Sequence, residues 1–261
     1  MVSERASTQT FFSVSTLLFI ASVAVTIIWS ISMSAMDGMP MPGGWTMSMT
    51  WMTGPNWSGA MVSFLGMWIV MMVAMMMPSL VPMLWRYRQA VETTAGLRLA
   101  WLTTVAGGGY FFVWTMFGVF IFPLGIALAI AEMQMPAIAH AVPMAIGMIF
   151  LLAGGLQFTK WKARHLACCR VSPGCGQVLP ATTATAWRQG LRFGFNCFQC
   201  CFGLMMILLV IGVMDLRAMA VVAVAITIER LLPAGERIAR ITGVVAIVVG
   251  LFLIGQAVGI G

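Results

Sequence analysis

The chain is 261 residues long, 61% hydrophobic and 8% charged, with a formal net charge of +7. Such a balance excludes an ordinary soluble globular domain and an unfolded polar chain, and it indicates a polytopic membrane protein. The excess of positive charge calls for no nucleic acid, because the Lys and Arg residues cluster between apolar runs and not in an aromatic-interleaved array.

Seven apolar segments, near 12–32, 60–84, 99–130, 137–158, 193–213, 216–232 and 241–260, reach or approach the roughly 20 residues a membrane-spanning helix needs. Each must be helical, since lipid offers no partner to an unsatisfied backbone group. The expected fold is all-α: a polytopic transmembrane helical bundle of about seven helices, in one integral membrane domain over 1–261. The 216–232 segment is short and begins beside Asp215 and Arg217, so six spans and one re-entrant or tilted segment is the other count. The first segment is longer than a signal-peptide core, and Ser32-Met33-Ser34 is a poor cleavage site, so a retained helix is expected.

With a cytoplasmic N-terminus, every one of the 14 Lys and Arg residues except Arg217 falls on the cytoplasmic side. The expected location is the bacterial inner (cytoplasmic) membrane, multi-pass, with lipid as the immediate partner.

Between the first two segments, the outer loop 33–58 carries Met33, Met36, Met39, Met41, Met47, Met49 and Met52 among Pro40, Pro42, Gly43, Gly44, Gly54 and Pro55. Proline and glycine argue against regular structure through most of it. Burial does not readily explain methionines at every second or third position of such a loop. The Met-x-Met pairs Met39/Met41 and Met47/Met49 can each offer two thioethers to one ion, with Asp37 beside them. Thioethers need no deprotonation and form no disulfides, which suits an oxidising compartment. The competing reading is an apolar hairpin at the membrane interface, anchored by Trp45, Trp51 and Trp57.

The second segment is rich in methionine. At 100° per residue Met61, Met67, Met71, Met72, Met75, Met76 and Met83 share one half of the helix, and Met77 is off it. Met67, Met71 and Met75 form an i, i+4, i+8 row. Pro78 frees the Ala74 carbonyl and predicts a kink, with the Ser79 hydroxyl nearby. Methionine is also a common filler between helices.

All six cysteines lie from Cys168 onward. His165, Cys168, Cys169 and Cys175 fall in the cytoplasmic loop 159–192. Cys197, Cys200 and Cys201 open the fifth segment, spanning about 100° of one helical face, with Met205 next to them. In a reducing compartment these thiols stay free of disulfides, and the surrounding Lys and Arg favour thiolate in the loop. Soft thiolates and thioethers select Cu(I). Zinc held by His165 and three cysteines is the competitor, and a Cys-x-x-Cys redox centre lacks the thioredoxin-like βαβ setting. Among other polar residues, Glu132 and His140 flank an outer loop with Met133 and Met135, and Glu229 is expected to pair with Arg230 at a helix end.

The run Met67-Trp68-x-x-Met71-x-x-Ala74-Met75-Met76-Met77-Pro78-Ser79-x-x-Pro82-Met83, followed by Cys197-x-x-Cys200-Cys201 and Glu229-Arg230-x-x-Pro233-x-Gly235, resembles a bacterial family of predicted metal-binding integral membrane proteins. That family, long catalogued as a domain of unknown function, includes a proposed copper chaperone serving tyrosinase. The resemblance covers the chain from about residue 60 onward and implies copper handling. This chain departs from the family pattern at Phe193-Gly194, where a His-Gly is usual, and at His165, where a cysteine is usual.

The reading that follows is a non-enzymatic membrane protein, since no nucleophile–base pair, phosphate loop or paired acids are arranged for catalysis. It captures Cu(I) through the outer methionine loop and passes it along the methionine helix to the cytoplasmic-side cysteines. It would act as a copper chaperone or transporter for a copper enzyme or copper-handling protein. The alternative is an accessory structural subunit with a Cys/His zinc site.

Overall fold

Each apolar segment becomes a helix in the computed structural model, which describes residues 2–34, 39–40, 46–47, 57–91, 96–170, 179–213 and 215–259. The helices are α1 (Val2–Ser34), α2 (Trp57–Ala90), α3 (Leu97–Gln134), α4 (Pro136–Leu156), α5 (Lys160–Arg170), α6 (Thr183–Ile211), α7 (Leu216–Leu231) and α8 (Gly235–Ala257). Strands β1 (Met39–Pro40) and β2 (Thr46–Met47) form a two-residue antiparallel ladder in which Met39 stands opposite Met47.

The expected count of spans needs adjustment. Five helices are long and apolar enough to cross a membrane on their own: Ser7–Ser32 within α1, then α2, α3, α6 and α8. A sixth crossing arises if α4 and α5, bent by 63° at a short break, act as one broken span. At 16 residues, α7 is about 24 Å long, short of a hydrocarbon core of about 30 Å. The loop 159–192 is largely helical, because α5 and the first turns of α6 occupy much of it.

Local chemistry sets the ends. Thr182 accepts from Thr185 N–H at the start of α6, and Asp215 accepts from Arg217 N–H and Ala218 N–H at the start of α7. Gly212 ends α6 with φ 130°, a conformation an L side chain resists. Pro78 and Pro82 lie inside α2, which remains one continuous helix; the Ser79 hydroxyl, next to Pro78, donates to Met76 O at 3.0 Å.

The core centres on α2, which packs against α1, α3 and α7, while α6 packs on α3 and α4, and α4 on α8. Trp68, Met71, Met72, Met76 and Leu80 of α2 are essentially inaccessible, as are Tyr110 and Trp114 of α3. The outward surface is apolar, with Leu17, Phe120, Leu152, Val221 and Phe252 exposed, which suits a lipid solvent better than water. On α1 a seam of small polar residues, Ser15, Ser22, Thr26 and Ser30, is buried. Ser22 and Thr26 each donate to a carbonyl of the preceding turn at 2.8 Å, which satisfies them within the helix.

The crossing of α3 and α6 positions the cysteine-bearing face of α6. A Cβ at Gly109 would stand 2.8 Å from Trp187 O, one at Gly194 would stand 2.9 Å from Tyr110 O, and one at Gly190 would collide with Ala106 O. Backbone therefore lies on backbone here, the close approach that small residues permit between membrane helices. It brings Tyr110 directly over the cysteine face of α6.

Candidate metal centre

Cys197 and Cys201 are one helical turn apart on α6 and point the same way, with their Sγ atoms 4.0 Å apart. The Cys201 thiol donates to Cys197 O at 2.9 Å, as a thiol does when it lies along its own helix. Met76 of α2 brings its Sδ to 4.0 Å from Cys197 Sγ. Tyr110 of α3 places its hydroxyl 2.9 Å from the same Sγ. All four side chains are sealed from solvent. Met205 lies one turn beyond Cys201 and is also buried.

Two sulfurs that each bind an ion at about 2.3 Å, with roughly 120° between the bonds, stand about 4.0 Å apart. The Cys197–Cys201 and Cys197–Met76 separations both have that value. Thiolates and thioethers are soft donors, matched to Cu(I).

Charged groups flank the sulfurs on the α7 side. Arg230 Nη1 donates to Ser79 Oγ at 3.2 Å, and Ser79 in turn donates to Met76 O. Glu229 pairs with Lys162 of α5 at 2.8 Å, and both side chains are almost fully buried. Consecutive residues on a helix diverge by 100°, so Glu229 meets α5 through Lys162 and Arg230 meets α2 through Ser79.

The three cysteines of α6 do not converge. Cys200 packs with Leu166 of α5, apart from the main core that holds Cys197 and Cys201. Its carbonyl accepts from Lys162 Nζ. Among the described residues no three His, Cys, Asp or Glu side chains gather as a metal site. His165 stands on α5 edge-on to Trp161, ring centroids 4.8 Å apart, and its Nδ1 is buried without a hydrogen-bond partner among the described residues. Cys168 and Cys169 belong to the last turn of α5, with side chains outside the described part, and Cys175 lies outside the described residues.

The methionine row is core. Met67, Met71, Met72, Met75 and Met76 are buried, and so is Met77, which helical geometry places off the row. Its burial shows that α2 is enclosed on more than one side. Met39 and Met47 are brought opposite each other by the β1–β2 register, whereas Met41 and Met49 lie outside the described residues.

Sequence reasoning passed over Tyr110, and it read Lys162 only as one of the basic residues that favour thiolate in the loop. A tyrosine directly after Gly107-Gly108-Gly109 in an otherwise apolar helix was a usable signal, since a polar group buried in a membrane bundle needs a partner. Lys162 carried no such signal, because in the sequence it is one of several basic residues in a connecting segment.

Neither the curated proteins nor the solved structures yield a match to this chain. The family model described as PpoB2, a copper chaperone, matches residues 65–253, well over half of the sequence. That span contains Met76, Tyr110, Cys197, Cys201 and Arg230, and with it the chain belongs to the PpoB2 copper-chaperone family.

Proposed function

We propose that this protein is a non-enzymatic, multi-pass copper carrier of the bacterial inner membrane, with its N-terminus in the cytoplasm. It holds Cu(I) between Cys197, Cys201 and Met76. The observation that carries the reading is the pair of 4.0 Å separations, Cys197 to Cys201 and Cys197 to Met76, among side chains sealed from solvent. In this reading the outer methionine loop, with Met39, Met41, Met47 and Met49, captures the ion. Met67, Met71 and Met75 lead it along α2 toward Met76, and the α5 ligands His165, Cys168 and Cys169, with Cys175, receive it from the cysteine pair. A copper enzyme such as a tyrosinase, or another copper-handling protein, is the client. Transfer down a gradient of affinity, from thioethers to thiolates, needs no external energy source.

The test is Cu(I) affinity of the purified, reduced protein in detergent, by competition with a chromophoric chelator. Cys197→Ser and Cys201→Ser should each weaken binding by about a hundredfold or more, roughly the weight of losing one thiolate ligand. Cys200→Ser should change it by less than about threefold. Equal losses for all three, or no Cu(I) bound by the unaltered protein, would refute the site.

A further inference from the structure

Tyr110 carries a hydroxyl into the sulfur cluster from the middle of α3. That hydroxyl lies 2.9 Å from Cys197 Sγ, and neither residue is exposed to solvent. Cys197 is the central sulfur, since Met76 Sδ and Cys201 Sγ each stand 4.0 Å from it. Among the described residues, Tyr110 supplies the one O–H or N–H group within hydrogen-bonding distance of that sulfur. Backbone fixes its place. A Cβ at Gly194, on the turn of α6 before Cys197, would stand 2.9 Å from Tyr110 O, so α3 rests directly on α6 at this point. The separation between hydroxyl and sulfur also decides the kind of role. An oxygen about 2.0 Å and a sulfur about 2.3 Å from one tetrahedral or trigonal ion stand about 3.5 Å or more apart. At 2.9 Å the phenol oxygen is too near Cys197 to share an ion with it in those geometries, and oxygen is a hard donor that suits Cu(I) poorly.

We infer that Tyr110 is a positioning residue of the proposed copper site: its hydroxyl donates to the Cys197 sulfur while that sulfur holds Cu(I), orienting the ligand and sharing its charge. The inference rests on Cys197 being a copper ligand and adds the group that supports it. In the metal-free protein either atom can be the donor. A metal-bound thiolate carries no proton and only accepts, so in the loaded protein the shared hydrogen belongs to Tyr110. Negative charge held away from water is costly unless a hydrogen bond meets it. A hydrogen bond to a charged acceptor is also stronger than one between neutral groups. The same hydroxyl therefore stabilises the loaded site more than the empty one, and only such a difference raises affinity.

The experiment compares the unaltered protein with Tyr110→Phe and Tyr87→Phe, each full-length and reduced in detergent. The chain has only these two tyrosines, and Tyr87 is buried with no hydrogen-bond partner for its hydroxyl among the described residues. Cu(I) affinity is read by chelator competition. The tyrosines are read by infrared difference spectra, copper-loaded minus copper-free, of protein labelled with ring-deuterated tyrosine. Tyr110→Phe is expected to weaken Cu(I) binding by about tenfold or more, the weight of a partner that orients a ligand, and Tyr87→Phe to change it by less than about threefold. Copper loading should shift a tyrosine C–O band that is missing from Tyr110→Phe and kept in Tyr87→Phe, a signature that packing alone would not produce. Tyr110→Phe protein that binds Cu(I) like the parent would overturn the inference. So would tyrosine bands left unmoved by copper, a result read on the unaltered protein even if Tyr110→Phe does not fold. Absence of Cu(I) binding by the unaltered protein is a different result, which removes the copper site itself and the role of Tyr110 with it.

Discussion

The Sδ of Met76 lies 4.0 Å from the Sγ of Cys197, across 121 positions of sequence. Helix α2 supplies one sulfur and α6 the other, and the two are held together by a third helix, α3, which packs against both. The contact joins a methionine-rich helix and a cysteine-bearing helix, each open to a packing explanation by itself, in one cluster of sulfurs.

Met76→Leu removes the thioether while nearly preserving volume, a swap that cores usually tolerate at under about 1.5 kcal/mol. The expected outcome is a folded protein with Cu(I) affinity reduced roughly tenfold, the range in which loss of a supporting ligand falls. Met77→Leu, equally conservative and also buried, should leave the affinity unchanged. Chelator competition and a thermal melt in detergent check both. A Met76→Leu protein that binds copper like the parent would confine Met76 to packing.

Gly190→Ala places a methyl group against the backbone of Ala106. Backbone cannot swing aside as a side chain can, so α3 and α6 must separate. Overpacking of this kind typically costs about 1–3 kcal/mol. The expected result is a lower melting temperature together with weaker Cu(I) binding, because Tyr110 and the cysteine face move apart. Gly155→Ala, where no atom stands within 4 Å of the added carbon, is the control and should melt like the parent.

Lys162 and Glu229 form a buried pair at 2.8 Å that fastens α5 to α7. Removing one partner strands a buried charge, which costs about 3–5 kcal/mol, whereas replacing both by apolar residues is often close to neutral. Glu229→Gln and Lys162→Met should therefore each destabilise the protein strongly, and Lys162→Met combined with Glu229→Leu should recover much of the loss. A double variant no more stable than the worse single one would show that the pair has no such coupling. The Lys162 contact to the Cys200 carbonyl predicts that limited proteolysis of the single variants begins near α5.

Much of the architecture was legible in advance, for a physical reason. Apolar length is a one-dimensional property, so each of the seven expected segments reappears as a helix. The helix α5 was not anticipated: its hydropathy resembles a connecting loop, and it docks through Lys162 and Leu166. Crossing counts were less legible, because a 16-residue helix and a pair bent by 63° are both intermediate between span and loop. Gly190 and Gly194, which let α6 lie on α3, stand four residues apart, the small-xxx-small spacing that permits close approach of helices in a membrane.

The amino-acid sequence by itself determined that this is a membrane-type helical bundle rich in soft ligands, since composition and helical period suffice for both. It also determined that Cys197 and Cys201 share a face, which is fixed by four-residue spacing on any α-helix. Tertiary structure alone decided the rest. It chose Met76 from a row of similar methionines and turned Cys200 toward Leu166 on α5. It also assigned Glu229 to Lys162 and Arg230 to Ser79. Each of these is a pairing between helices, set by how closely two backbones approach and at what rotation, and neither quantity is written in the period of one helix.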